Sequence, residues 1–125
     1  MWKEYNPNPL HTRVGDCAVR AVAKATAQDW ESAYAGLYIT GYSMCDLPSA
    51  NVVWGSYLRS KGFNRSEIPN TCPDCYTVKE FCRDHPHGVF VLALDGHVVT
   101  AKNGDYFDSW DSGSEPVLYF WQKEE

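Results

Sequence analysis

The dipeptide Asn103-Gly104 lies between two strand-like segments, His97-Val-Val-Thr-Ala-Lys102 and Asp105-Tyr-Phe-Asp-Ser-Trp110. Asn and Gly accept the positive φ that a two-residue hairpin turn demands, so the pair predicts an antiparallel hairpin in one register. Lys102 then faces Asp105, Val99 faces Asp108 and His97 faces Trp110. Side chains alternate along a strand, so His97, Val99 and Asp108 share one face. His97 and Asp108 become diagonal neighbours, with α-carbons roughly 7–8 Å apart and side chains within reach. A slip of one residue would undo this, placing Asp108 on the other face.

The rest of the chain sorts into helices first and strands last. Asp16 stands before the Ala-rich run Cys17–Thr26, which predicts an N-cap and a central, largely buried helix. Asp29 predicts the cap of a second helix, with Trp30, Ala33, Tyr34 and Leu37 on one face. Ser49 predicts the cap of a third, which Gly62 ends. Thr77-Val-Lys-Glu80 is a capping-box pattern for a short helix running to about Asp84. Val89–Leu94 and Val117–Trp121 add two apolar strands to the hairpin. The expectation is one α+β domain over residues 1–125. An extended arm spans 1–15, and the helices pack on a C-terminal antiparallel sheet of about four strands.

Charge and cysteine content narrow the function. Sixteen acidic residues against 11 basic give a net charge of −5. That balance argues against nucleic acid as a partner. No apolar run is long enough for a membrane span. The first nine residues hold no apolar h-region and no small-residue cleavage site, so no signal peptide is read there. The five cysteines are therefore expected as reduced thiols in a cytoplasmic protein.

Cys17 occupies the first turn of a helix, where free backbone N–H groups and the helix dipole favour a thiolate. A nucleophilic thiolate needs a base, and the base needs an orienting group. His97 is the candidate base. Asp108 is its partner by register, with Asp111 as substitute and Asp105 too far along the ladder. Trp110, opposite His97, would shield the imidazole–carboxylate pair from water. The inert alternatives are a gap-filling cysteine, a half-exposed strand histidine and a turn-flanking carboxylate.

These three motifs are Gly15-Asp16-Cys17 at a helix start, Gly96-His97-Val98-Val99 opening a strand, and an Asp on the next strand. Together they resemble the papain-like cysteine peptidase superfamily. The nearest likeness is to the bacteriocin-processing peptidases and to short phage and prophage proteins built on that core. The likeness spans about Gly15 to Trp121. It implies a papain-like core, with Cys17 as nucleophile, His97 as general base and then acid, and Asp108 as the orienting residue. It also implies that the Cys17 N–H gives half of an oxyanion hole. Family members place a Gln six residues before the nucleophile for the other half, and here that position is His11. His11, Asn8 or the Asp16 region would have to replace it, or the chain has kept the fold and lost the chemistry.

A second constellation is Cys72-Pro-Asp-Cys75 followed by Cys82 and His85. Its spacing suggests a structural zinc site, although the segment from Cys75 to Cys82 is short for a closed one. The favoured reading needs no cofactor: cysteine-dependent acyl transfer on a peptide or protein substrate. The alternatives are a catalytically inactive interaction protein and a small zinc-stabilised binding module.

Overall fold

The computed structural model describes residues 1–124. Its centre is β3 (Val89–Leu94) paired antiparallel with β4 (His97–Lys102), both rich in β-branched and apolar residues. The hairpin continues through Asn103-Gly104, both at positive φ, into β5 (Asp105–Asp108). Its pairs are Lys102 with Asp105, Ala101 with Tyr106 and Thr100 with Phe107. This is the register predicted from the turn.

The sheet has six strands in the order β1-β5-β4-β3-β6-β2. The four expected strands are thus extended on both edges. At one edge β1 (Trp2–Glu4), within the expected arm, runs parallel to β5. At the other β2 (Phe63–Glu67) pairs with β6 (Tyr119–Lys123). β2 is exposed except at Phe63, so it carries no alternating apolar signal to betray it. β5 ends at Asp108 rather than Trp110, and β6 lies two residues beyond the predicted span.

Helices cover both faces. On one lie α1 (Cys17–Ala25), α2 (Trp30–Met44) and α3 (Asn51–Ser60). Their Val22, Leu37, Trp54 and Leu58 pack against Val91, Ala93, Val98 and Trp121 of the sheet. On the other face α4 (Val78–Asp84) sets Val78 and Phe81 against Phe90, Leu92, Val99 and Tyr106. The alternation along β3, odd residues to one layer and even to the other, is the period-2 pattern that sorts the two cores.

The caps differ in kind. Asp29 accepts from the Ser32 N–H at 2.8 Å, and Thr77 and Glu80 form the predicted capping box. α3 starts after Ala50, with no side-chain cap, instead of after Ser49. Asp16 precedes α1 but makes no capping bond, because its carboxylate is engaged elsewhere.

α3 also tests how tightly the first core is packed. A Cβ on Gly55 would stand 2.8 Å from Trp121 Cζ2, inside a contact real structures avoid. Helix propensity alone would make Gly55→Ala stabilising by about 1 kcal/mol. Overpacking against the indole should reverse the sign and cost about 1–3 kcal/mol. Urea unfolding of the variant measures which effect wins.

Candidate active site

The ends of three elements meet at one place. Cys17 is the first residue of α1, His97 the first of β4 and Asp108 the last of β5. β4 and β5 are antiparallel neighbours, so the beginning of one and the end of the other fall at the same end of the sheet. Val98 and Thr100 face α1, and the Thr100 hydroxyl donates to the Ala21 carbonyl at 2.6 Å. His97 belongs by alternation to the opposite face. At the strand terminus, however, its ring still interacts with Cys17.

His97 Nε2 and Asp108 Oδ2 are 2.7 Å apart. This bond assigns the Nε2 proton toward the carboxylate and leaves Nδ1 as the nitrogen free for proton transfer. Asp108 is 1% exposed and its carboxylate is saturated with donors. Oδ2 also accepts from the Ser112 hydroxyl at 2.7 Å. Oδ1 accepts from the Ser109 N–H at 2.8 Å and from Arg20 at 3.3 Å. Trp110 tilts over the imidazole with ring centroids 4.9 Å apart, although it lies beyond the end of β5 and is not a ladder partner of His97.

The site polarises its own groups. Burial raises the Cys17 thiol most strongly of any single influence. The interaction with His97, a bond from the Val98 N–H and the Arg20 charge together overcome it, and the thiol ends below its ordinary value. Burial likewise pushes His97 down, but Asp108 and Cys17 outweigh it and lift the imidazole to about 9. Burial opposes ionisation of Asp108 too. His97 and Ser112 prevail, so its carboxyl stays below the usual carboxylate range. All three shifts run toward the charged forms, a thiolate, an imidazolium and a carboxylate.

Arg20 carries this arrangement into the helix. It is buried, bonds Asp16 one turn earlier, and reaches Asp108 with its other nitrogen. Asp16 also accepts from Trp30 Nε1 at 3.0 Å. Both Asp16 oxygens thus serve as acceptors, which removes the Asp16 side chain as an oxyanion donor. Sequence reasoning missed Arg20 and Ser112. An arginine four residues after an aspartate, inside an otherwise apolar helix, was the available signal for the first. Ser112 offers none, lying in the loop after β5.

The remaining candidates fall elsewhere. His11 is exposed, in the left-handed region at φ 53, and lines a separate cavity with Glu4, Asn6, Arg13 and Ser109. Asp111 accepts from the Tyr106 hydroxyl and makes no bond to His97. Cys72 and Cys75 are joined in a disulfide, which corrects the expectation of five reduced thiols. A disulfide supplies no thiolate ligand. Cys82 is buried, its thiol pushed by burial to about 11, and His85 Nδ1 is bonded to the Phe81 carbonyl at 2.8 Å. Among the described residues no group of three or more His, Cys, Asp or Glu side chains is placed to hold a metal. No helix among them is long and apolar enough to cross a membrane.

Two expectations follow from this geometry. Arg20→Ala leaves two buried carboxylates without their shared cation and should cost about 3–5 kcal/mol in a urea titration. Thiol labelling of the native protein without reductant should find three free cysteines in three classes. Cys17 reacts below the pH an ordinary thiol needs, exposed Cys45 is labelled in the folded protein, and Cys82 stays silent until the protein unfolds. Peptide mapping by mass spectrometry assigns each. Compared with family models, curated proteins and solved structures, the chain finds no match, so geometry alone carries its functional reading.

Proposed function

We propose that this protein is a cysteine-dependent acyl-transfer enzyme of papain-like type, cleaving peptide or isopeptide bonds with Cys17, His97 and Asp108. The observation that carries the reading is one continuous chain of groups. A thiol at an open helix end interacts with an imidazole whose far nitrogen is fixed 2.7 Å from a buried carboxylate. Each member has the environment its role requires. Cys17 is partly accessible, His97 is partly buried with Trp110 against its ring, and Asp108 is sealed from water.

In this mechanism the Cys17 thiolate attacks the carbonyl carbon and the C=O π pair moves to oxygen. Collapse re-forms the carbonyl and breaks the C–N bond. The leaving amine takes its proton from the His97 imidazolium. The thioester left on Cys17 is resolved by water, whose proton returns to His97, or by an amine, which makes the enzyme a transamidase. Asp108 holds the ring orientation and stabilises its charged form.

A second reading, a papain-like fold kept as an interaction protein, draws on the exposed Tyr38, Ile39, Tyr42 and Leu47 along and after α2. The pH dependence of alkylation separates the two. Cys17 ionises as pH rises through its lowered value, and His97 loses its proton as pH rises through about 9. Iodoacetamide should therefore react in two steps. The first, below the ordinary thiol value, marks the ion pair, and the second, near pH 9, marks the free thiolate. His97→Ala should erase the lower step and leave a single one at or above the ordinary thiol value of about 8.5, because burial then meets less opposition. A single step near 8.5 in the unmodified protein would favour the interaction protein.

A further inference from the structure

We infer that the cavity between α3 and the β2–β6 edge of the sheet binds a carboxylate carried on a small apolar body. This site is separate from Cys17 and does not depend on the acyl-transfer reading.

The inference starts from one atom. Trp121 is 4% exposed, and its Nε1 is the one enclosed side-chain polar atom without a hydrogen-bond partner among the described residues. A buried donor left unpaired is costly, so this position calls for an acceptor. The indole lies under α3. A Cβ on Gly55 would stand 2.8 Å from Cζ2 and 3.5 Å from Cε2, the atom that carries Nε1. Glycine at this position keeps a side chain from lying over that edge of the ring. Gly55 and Trp121 both line a cavity of about 310 Å³.

The rest of the wall supplies donors. Asn51, Gly55 and Arg59 fall four residues apart on α3 and share one face. Asn51 Oδ1 accepts from Trp54 Nε1 at 3.0 Å, which leaves its amide nitrogen as the free end. The Arg59 guanidinium carbon lies 5.2 Å from the Trp121 ring centroid, and Arg59 has no carboxylate partner among the described residues. Arg65 stands opposite Trp121 in the β2–β6 ladder and stacks on Tyr119, its guanidinium carbon 3.9 Å from that ring. Its Nε and Nη2 meet Glu67 Oε1 at 2.9 and 2.8 Å. Its Nη1 has no partner among the described residues. The cavity wall itself holds both arginines and neither Asp nor Glu.

Charge selects the ligand. Two guanidiniums less the Glu67 carboxylate leave one positive charge uncompensated, on a chain whose net charge is −5. A carboxylate brings one negative charge and two acceptor oxygens, enough for the Arg59 fork and the indole N–H beside it. A phosphate ester would bring nearly two charges. Arg59 is exposed, and its flexible stem lets the guanidinium hold one oxygen while the other reaches Nε1. Met44, Val52 and the aromatic rings form the apolar part of the wall, against which the body of the ligand packs.

Sodium benzoate is a probe that needs no knowledge of the natural ligand. Its binding is read from the assigned Trp121 indole N–H resonance of ¹⁵N-labelled protein. Benzoate should move that resonance saturably. Benzamide, its neutral counterpart, should leave it in place at equal ionic strength. Arg59→Met keeps the stem, removes the fork and should weaken benzoate roughly 10-fold or more. The indole signals of Trp2, Trp30 and Trp110, which do not line the cavity, should stay in place in that variant and show that the fold is intact. Absence of saturable movement up to roughly 50 mM benzoate would overturn the proposal. So would an equal response to benzamide, or undiminished binding by Arg59→Met. Tighter binding of inorganic phosphate than of benzoate would replace the carboxylate assignment with a phosphate one.

Discussion

The Asp108 carboxylate is the point on which the architecture turns. A carboxylate sealed from water is strongly unfavourable unless its oxygens are hydrogen-bonded and its charge is compensated. Here each oxygen has two donors, drawn from β4, α1 and the loop that follows β5. The backbone carbonyl of the same residue accepts from Trp2 Nε1 at 3.1 Å and from the Tyr5 N–H at 2.9 Å. One residue therefore ties the N-terminal arm, the first helix and the hairpin together. Because the network is so fully satisfied, the His97 ring it holds has little freedom to turn.

The same network explains a local rule that fails. Asp before an Ala-rich run should cap the helix, and here it does not. Arg20, one turn on, needs a partner for the guanidinium face that Asp108 does not cover, and Asp16 supplies it. Tertiary pairing of a buried cation is worth more than a cap of about 1 kcal/mol. The consequence falls on the start of α1. The N–H groups left open are those beside Cys17, where a negative sulfur or oxygen would sit.

Much of this was legible in the sequence, and the reason is that the informative signals were local. Asn103-Gly104 admits one tight hairpin, and counting outward from it placed Asp108 beside His97. Thr77 with Glu80, and Asp29 with the helix after it, satisfy their own backbone within a few residues, so nothing distant can override them. What was not legible depends on contacts far along the chain. β1 is three residues long and exists because β5 offers it an edge, while β2 is polar and exposed along most of its length. The Arg20–Asp108 contact spans 88 residues and that of Ser112 depends on how the loop after β5 folds back. The Cys72–Cys75 disulfide likewise follows from loop conformation rather than spacing, and His85 is taken up by the Phe81 carbonyl.

The two faces of the sheet bear on why such a network is present at all. The layer under α4 is built from Val78, Phe81, Phe90, Leu92 and Val99, with tightly packed rings and no buried ion pair. This chain can therefore fill an interior with hydrocarbon. At the α1 end of the sheet it instead buries Asp16, Arg20 and Asp108 and half buries His97. Replacing a buried ion cluster by apolar side chains of similar volume is often neutral or stabilising. Stability alone gives no ground for the cluster. What it provides is a fixed imidazole, a charge that stays put when the ring gains a proton, and a helix start with its donors unspent. Those are the requirements of nucleophilic catalysis by a thiolate, and an interaction surface on the far side of α2 would need none of them.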